Sequence, residues 1–496
     1  MNIYNTKFLD SILNFIEKYY YIFLIIILMI ASLNMFYNLG KVPINSWDEA
    51  RHGVNAYEMI KRNNYIVNTY GYENDYWNLK PPISYWAIVG GYKLAGFNSL
   101  GLRIFSAVAS FITVLIVAIF TLHKHGRLAS LISTFAITTS MPFVLEHCGR
   151  TGDADAIFVL FFTMSMVAMA MIEENTNWLY AAGVSFAMAF LTKSWHAGNI
   201  VVIGIIYLIL SKTLFKLKVR QLFMFILSCS FPILIWGFFR YKQNGLVFFE
   251  TMINYDLLAR SSTTLEGHVG SISFYIEALQ RTYFYWLLVW VSTILASTLY
   301  IKPNLMNRRR INYILSITLW IAVPFLLYTK AKTKIDWYIL PIYPALAISI
   351  GAASSMLLKA KNRNLLFQSL LVLMILLAIY KNEVSIIRSI SNPLPSYAQV
   401  ALEEMKNFQE YRGKNIYTTF KTGSADNPNR WDQSCLLCAE LYGDLIPVEG
   451  GINGFLKDNT DKPLLLIHKD KVKLLNMKVN SQKVVAESNI VYILTK

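Results

Sequence analysis

Two short acidic stretches frame the chemistry open to this chain. "SWDEARHGV" (Ser46–Val54) sets Asp48 and Glu49 beside Arg51, directly after a long apolar segment. "HCGRTGDADA" (His147–Ala156) sets Asp153 and Asp155 at the start of another. Ser46 followed by Glu49 fits a capping box, which predicts Asp48 and Glu49 in the first turn of a helix. There they would complement the helix dipole, or serve as proton acceptors. Arg51 lies one turn from Asp48, and its guanidinium suits either that carboxylate or a phosphate at a membrane surface. Asp153 suits the cap of the next helix. Asp155 falls inside the first turn of a hydrophobic span, where an ionisable group is costly and points to function.

Cations accompany these carboxylates. In "WNLKPPISYW" (Trp77–Trp86), Pro81 and Pro82 stiffen the chain just after Lys80, which either snorkels to the headgroups or holds a lipid phosphate. "KAKTKIDWYILPIYP" (Lys330–Pro344) groups Lys330, Lys332 and Lys334 with Trp337 and Tyr338 at the mouth of another apolar run.

The elements that must position these groups are membrane helices. The 496 residues are 55% hydrophobic and only 15% charged, which excludes an ordinary soluble domain. Candidate spans run over Tyr20–Asn38, Ile104–Leu122, Leu128–Glu146, Ala154–Ile172, Trp178–Leu191 and Gly198–Leu210. Others run over Leu222–Phe239, Thr282–Ile301, Ile314–Lys330, Trp337–Leu358 and Leu365–Tyr380. The net charge of +16 fits cationic loops between spans rather than a nucleic-acid partner.

"PPISYWAIVGGYKLAG" (Pro81–Gly96) decides the topology. Read as a helix lying at the interface, it leaves about eleven spans. The basic loops "HKHGR", "KTLFKLKVR", "KPNLMNRRR" and "KAKNR" then share the cytoplasmic side with the amino terminus, as the positive-inside tendency requires. Read as a span, it flips all four outward. The interfacial reading places both acidic stretches, Arg240–Gln280 and the carboxyl-terminal tail on one outer face. Lys330, Lys332 and Lys334 then lie on the side where cations are not expected, which suggests an anionic ligand there.

From about Asn382 the composition turns mixed, with turn residues in "SNPLPS" and "SADNPNR". "KNIYTTF", "KPLLLIHKD" and "SNIVYILTK" read as strands and "YAQVALEEMKNFQEY" as an amphipathic helix. The expectation is therefore a polytopic α-helical membrane domain (1–381) followed by a small extracytoplasmic α/β domain (382–496). Cys148 and Cys229 read as packing residues. Cys435 and Cys438, in "CLLC", read as a local disulfide or two free thiols.

"WDEAR", "KPPISYW", "RTGDADA", "FLTKS" and "WYILPIYPALA" resemble, in that order, the motifs of the bacterial glycosyltransferase 39 group. That group includes the protein O-mannosyltransferase-like proteins and the lipid A 4-amino-4-deoxy-L-arabinose transferases. The resemblance covers about Trp47 to Ala347. It implies a GT-C fold and an enzyme in the cell (inner) membrane whose site faces the extracytoplasmic side. Such an enzyme moves a sugar, with inversion, from a polyprenyl-phosphate-linked donor to a lipid, glycan or protein acceptor. By the same resemblance Asp48 and Asp155 match the two acidic loop residues, with Glu49 in support. Lys80, Arg51, Arg260 and Tyr338 match the residues that hold the carrier phosphate.

Two departures matter. Many relatives place an acidic residue, given a metal-ion role, just before the "KPP" lysine, where this chain has Asn78 and Leu79. A divalent metal therefore stays open, with His268 in "LEGHVGS" as a weak lone ligand. The alternative function is a transporter or flippase for a lipid-linked saccharide, which would place its polar groups nearer the bilayer midplane.

Overall fold

The computed structural model describes residues 2–264, 267–300, 307–360, 364–421, 430–474 and 482–496. Parts of the basic loops "KPNLMNRRR" and "KAKNR", and most of the "SADNPNR" turn, lie outside the described residues. Among the described residues, six helical runs are long and apolar enough to cross a membrane: Ser99–His125, Trp178–Leu210, Val219–Asn244, Arg308–Lys330, Asp336–Leu358 and Leu365–Ser391. Two bent pairs add to these, Leu9–Lys18 with Tyr20–Phe36 and Phe274–Thr282 with Phe284–Leu299. Arg127–Thr138 and Asp155–Met171 are shorter apolar helices. The expected count of about eleven took each apolar stretch as a separate crossing.

The run Trp178–Leu210 is a hairpin. It comprises the helices Trp178–Lys193 and Gly198–Leu210, with a tight turn at Ser194–Ala197 between them. At its far ends Thr213 bonds Glu173 at 3.2 Å and Gln221 bonds Thr176 at 3.2 Å. Both ends therefore return to one face, leaving the turn and Lys193 at the other.

Ile83–Ala95 is a helix of 13 residues, as the interfacial reading expects. Arg103, one turn into the Ser99–His125 helix, fixes its position. Its guanidinium donates to the carbonyls of Leu39, Val42 and Pro43 at 3.1, 2.6 and 2.8 Å. It also engages both oxygens of Glu49, at 2.6 and 2.9 Å. The end of the first span and the start of the next thus lie on the same face, so Ile83–Ala95 does not cross between them. Glu49 further accepts from the N–H groups of Asn45 and Gly152, each at 2.8 Å, and so ties the second acidic loop to that face.

The first-loop helix, Asp48–Arg62, is unusual in being polar and almost entirely buried. It is clamped between the membrane helices and the carboxyl-terminal domain. Gly53 permits the clamp, since a Cβ there would lie 2.4 Å from Leu437. The last membrane helix continues to Ser391, past the composition change at Asn382, so the domain proper begins with the helix Tyr397–Glu404. Its five-stranded sheet runs in the order Ile446–Pro447, Asn415–Thr418, Leu464–His468, Val491–Thr495, Lys483–Glu487. The first two pairings are parallel and the last two antiparallel. Cys435 and Cys438 are buried free thiols on the helix Gln433–Gly443, not a disulfide.

Candidate functional site

A cavity of about 410 Å³ opens where the two acidic loops, the hairpin turn and the segment before Tyr343 meet. Asp48, Lys80, His147, Lys193, His196, Asp256, Arg260, His268, Trp337 and Tyr338 line it. Residues more than 280 positions apart thus converge on a single recess. Three of its segments carry a non-glycine residue at positive φ: Trp47 (68°), His147 (47°) and Ser194 (46°). Such conformations cost roughly 1–3 kcal/mol each and concentrate at functional sites.

Asp48 begins its helix at the cavity wall, but not through a capping box. Trp47 occupies the cap position without a side-chain bond, and Ser46 Oγ is buried without a partner. Burial would raise the Asp48 carboxyl, but Lys80, His52 and His147 outweigh it and hold it well below the usual carboxylate range. His52, by contrast, is pushed down to about 4, chiefly by burial and then by Lys80. Its Nδ1 meets the Asp48 carbonyl at 2.5 Å.

Asp155 is buried behind the cavity and paired with Lys193 at 2.5 Å. The lysine lines the recess and the carboxylate holds it. Asp153 does not cap the following helix; Ala154 stands at that position, and Asp153 turns to His147, 3.2 Å away. The His147 ring lies flat on Trp337, with centroids 3.5 Å apart and planes at 11°. Burial would lower the His147 imidazole, but Asp153 lifts it to about 9. On the opposite wall Arg260 donates to Asp256 at 3.0 Å and to the Tyr338 hydroxyl at 3.2 Å. Ser194 bonds the other Asp256 oxygen at 2.8 Å.

Three further expected site residues are each placed by the fold. Glu49 is buried in the Arg103 network described above and does not reach the cavity. Arg51 pairs neither with Asp48 nor with an open phosphate position. Its guanidinium is bound in two places by Asp75, at 2.8 and 2.7 Å, and lies over the rings of Tyr70 and Trp77. Asp75 is the residue the sequence reading lacked. It also accepts from Asn55 at 3.1 Å and from the N–H groups of Trp77 and Asn78 at 3.0 and 3.1 Å, so it shapes the loop that presents Lys80. The third is His268. It lines the cavity, but the group with converging metal-ligand atoms among the described residues is Asp48, His147 and Asp153, without it. Leu79, where relatives place an acidic residue, packs in an apolar cluster with Leu191, Trp236, Phe248 and Met252 and offers no ligand.

Lys193 and His147 were within reach of the sequence, since "FLTKS" and "HCGR" both stand at span ends. Asp256 gave no signal, because its partners Arg260 and Ser194 come together only in the fold.

A class of protein now follows from this architecture: apolar helices joined by polar loops, with an acidic and cationic recess at one face, form the GT-C fold. ArnT of Cupriavidus metallidurans, solved with undecaprenyl phosphate bound, superposes with a TM-score of 0.71 at 14% identity, over 96% of this chain and 97% of that one. The oligosaccharyltransferase of Archaeoglobus fulgidus superposes with a TM-score of 0.54 at 11% identity, over 89% of this chain and 65% of that one. A family model described as dolichyl-phosphate-mannose-protein mannosyltransferase matches residues 79–236. In sequence, a protein of Aquifex aeolicus is 29% identical over 70% of this chain and 66% of its own length. An undecaprenyl phosphate-alpha-4-amino-4-deoxy-L-arabinose arabinosyl transferase of Yersinia pestis is 24% identical over 65% of this chain and 58% of its own. These matches span little more than half to two thirds of those relatives. The chain shares the GT-C fold, and the family model and the arabinosyl transferase it resembles are of glycosyltransferases.

Proposed function

We propose that the chain is an integral membrane glycosyltransferase that takes a sugar from a polyprenyl-phosphate-linked donor at the extracytoplasmic face of the cell (inner) membrane. The observation that carries this reading is the pairing, in one recess, of the Asp48 carboxylate with the cations Lys80, Lys193 and Arg260. Arabinosyl transferase relatives and an ArnT structure holding undecaprenyl phosphate support the donor class.

The acceptor hydroxyl attacks the anomeric carbon, the carbon–oxygen bond to phosphate breaks, and the acceptor proton passes to Asp48. Attack from the side opposite the phosphate inverts the centre. The carrier leaves as a phosphate anion, so fixed cations help more than a proton donor would. Lys80 and Arg260, with the Tyr338 hydroxyl held by Arg260, receive that anion. The low-lying Asp48 carboxyl stays ionised and ready at neutral pH, though as a moderate base. Asp155 acts through Lys193, which it fixes at the cavity wall. Lipid A, another glycan and a protein all fit as acceptor.

Mass spectrometry of lipid and envelope extracts from cells carrying wild-type or Asp48→Asn protein tests this. The expected outcome is one envelope component lacking a sugar-sized mass in the mutant, with undischarged polyprenyl-phosphate sugar accumulating. Identical extracts, with the mutant present in the membrane at normal level, would overturn the reading. A transporter would move the lipid-linked sugar without releasing free polyprenyl phosphate.

A further inference from the structure

We propose that Trp47 and Trp77 form an aromatic platform at the cavity mouth that binds a sugar ring of the acceptor. The acceptor is then a saccharide-bearing molecule rather than a protein side chain. Use of the platform in transfer rests on the transferase reading; its binding of a sugar ring does not.

Trp47 is 46% exposed, the most exposed of the residues that line the cavity. Leaving a large indole in water forgoes the gain of burying it. Its backbone adds strain, since φ 68° with ψ −120° is a conformation that residues with a Cβ avoid. A tryptophan that only anchored the chain at the headgroups would need no such backbone. Trp86 shows the difference: it is 42% exposed, lies on the regular helix Ile83–Ala95 and donates its indole N–H to the Tyr65 carbonyl at 2.7 Å.

Trp77 is fixed from behind. The Arg51 guanidinium lies 4.5 Å from its ring centroid, and Asp75 holds that guanidinium in two places while accepting the Trp77 N–H. A buried ion pair is a poor source of stability, and here its effect is to set one indole ring at the cavity wall. The rings of Trp47 and Trp77 have centroids 6.5 Å apart and planes at 43°, neither stacked nor edge-on. Trp337, by contrast, has a face covered by the His147 ring at 3.5 Å.

A sugar ring suits this surface. One side of a pyranose carries C–H groups made slightly positive by their oxygens, and these settle on the negative face of an aromatic ring. Its hydroxyls point outward to polar partners, which the cavity supplies. Position assigns the ring to the acceptor. Lys80 and Arg260 take the phosphate end of the donor, so the acceptor oxygen reaches Asp48 from the side away from them. Trp47 is the residue before Asp48, about 3.8 Å away between Cα atoms. A hydroxyl that gives its proton to Asp48 therefore belongs to whatever rests on Trp47. A sugar hydroxyl brings its own C–H face with it. A serine or threonine hydroxyl hangs from a polar peptide backbone that offers no such face. The ring chemistry is the same in a free glycan and in the head of a glycolipid.

The test takes full-length protein in phosphatidylcholine nanodiscs, which avoid sugar-headed detergents. Envelope extract of Asp48→Asn cells, fractionated, supplies undischarged donor and unmodified acceptor. Trp47→Leu and Trp77→Leu should each raise the acceptor KM about tenfold, with kcat and the donor KM within about threefold of wild type. Trp47→Phe and Trp77→Phe keep a ring face and should retain most of the affinity, which also shows that the variants fold. Trp178→Leu, at the far end of the hairpin, should change nothing. In a separate binding arm, saccharide released from the acceptor fraction by mild acid and labelled at its reducing end should bind Asp48→Asn protein. Adding Trp47→Leu should weaken that binding about tenfold. Intact glycolipid should compete no more than about threefold better than the released saccharide. Competition by the intact glycolipid alone would place recognition on its lipid and overturn the platform. Leucine variants that match wild type would make these residues apolar surface anchors and overturn it too. Transfer onto a serine or threonine, found by tandem mass spectrometry of the product, sinks the platform and leaves the transferase standing. Trp47-dependent binding of the saccharide, without any release of polyprenyl phosphate by wild type, does the reverse.

Discussion

Asp48 and Glu49 are neighbours of the same charge, and the fold gives them opposite duties. Asp48 faces an open recess, whereas both oxygens of Glu49 are enclosed by the Arg103 guanidinium and two backbone N–H groups. Removing the charge of Glu49 strands a fully buried Arg103, which costs about 3–5 kcal/mol in comparable pairs. Glu49→Gln should therefore melt far below wild type in detergent, or fail to purify as a single species. Asp48→Asn should melt within about 1 kcal/mol of wild type while losing transfer. Equal melting of the two variants would sink this division of labour. The sequence could show that both were acidic and near a helix start. It could not show which one faces solvent, because Arg103 lies beyond an intervening loop and helix. The same blindness hid Asp75, whose value lies in the Arg51 guanidinium it captures rather than in any local motif.

At the scale of elements, the interfacial helix Ile83–Ala95 matters because Lys80 sits directly ahead of it. Two glycines dock it on the Ser99–His125 span. A Cβ on Gly91 would lie 2.0 Å from the Gly101 carbonyl oxygen, and one on Gly101 would lie 2.3 Å from the Gly96 carbonyl oxygen. Backbone cannot yield as a flexible side chain does, so Gly91→Ala should cost about 1–3 kcal/mol and displace the Lys80 loop. Gly237, inside the helix Val219–Asn244, has open space where its Cβ would go. Gly237→Ala should be neutral or stabilising by roughly 0.5–1 kcal/mol, and should leave transfer intact. Thermal melting paired with a transfer assay checks both, and a harmless Gly91→Ala would mean the helix is not held by backbone contact. This element was legible from loop charge, because positive-inside bias acts on the whole chain. The helices Tyr397–Glu404, Asn415–Thr418 as a strand, and their neighbours Leu464–His468 and Val491–Thr495 were legible from period and β-branched content. The two-residue strand Ile446–Pro447 was not, being defined only by its partner Asn415–Thr418.

The whole molecule is closed by the contact between the first-loop helix and the carboxyl-terminal domain, and that contact carries a pH dependence. Around its rim Tyr57 and Lys61 both bond Asp444, at 2.6 and 2.7 Å, and Ser99 meets Tyr442 at 3.0 Å. At its centre Glu58 and Glu440 are both buried, each with one carboxyl oxygen lacking a hydrogen bond. Burial lifts Glu58 to about 7, and lifts Glu440 well above the usual range, with Glu58 and Asp444 adding to the latter and Lys61 opposing it. Asp75 acts on Glu58 in the same upward direction. Both folded-state values exceed the unfolded ones, so the docked form is favoured fully below the unfolded carboxyl range. It loses stability as pH rises from there through about 7. For Glu58 alone the shift from 4.5 to about 7 corresponds to roughly 3 kcal/mol across that window. Melting temperature should therefore fall between pH 5 and pH 8, in the sense opposite to a protein held by salt-bridged carboxylates. Glu58→Gln and Glu440→Gln should each flatten the slope, since an amide keeps the shape without the charge. If ionisation of these carboxyls undocks the domain as a unit, protease cleavage between Ser391 and Tyr397 should quicken over the same range in wild type and not in the double variant. A melting temperature that rises towards pH 8 would show that the two glutamates are ionised and paired, and that the clamp over Asp48 is held by its rim.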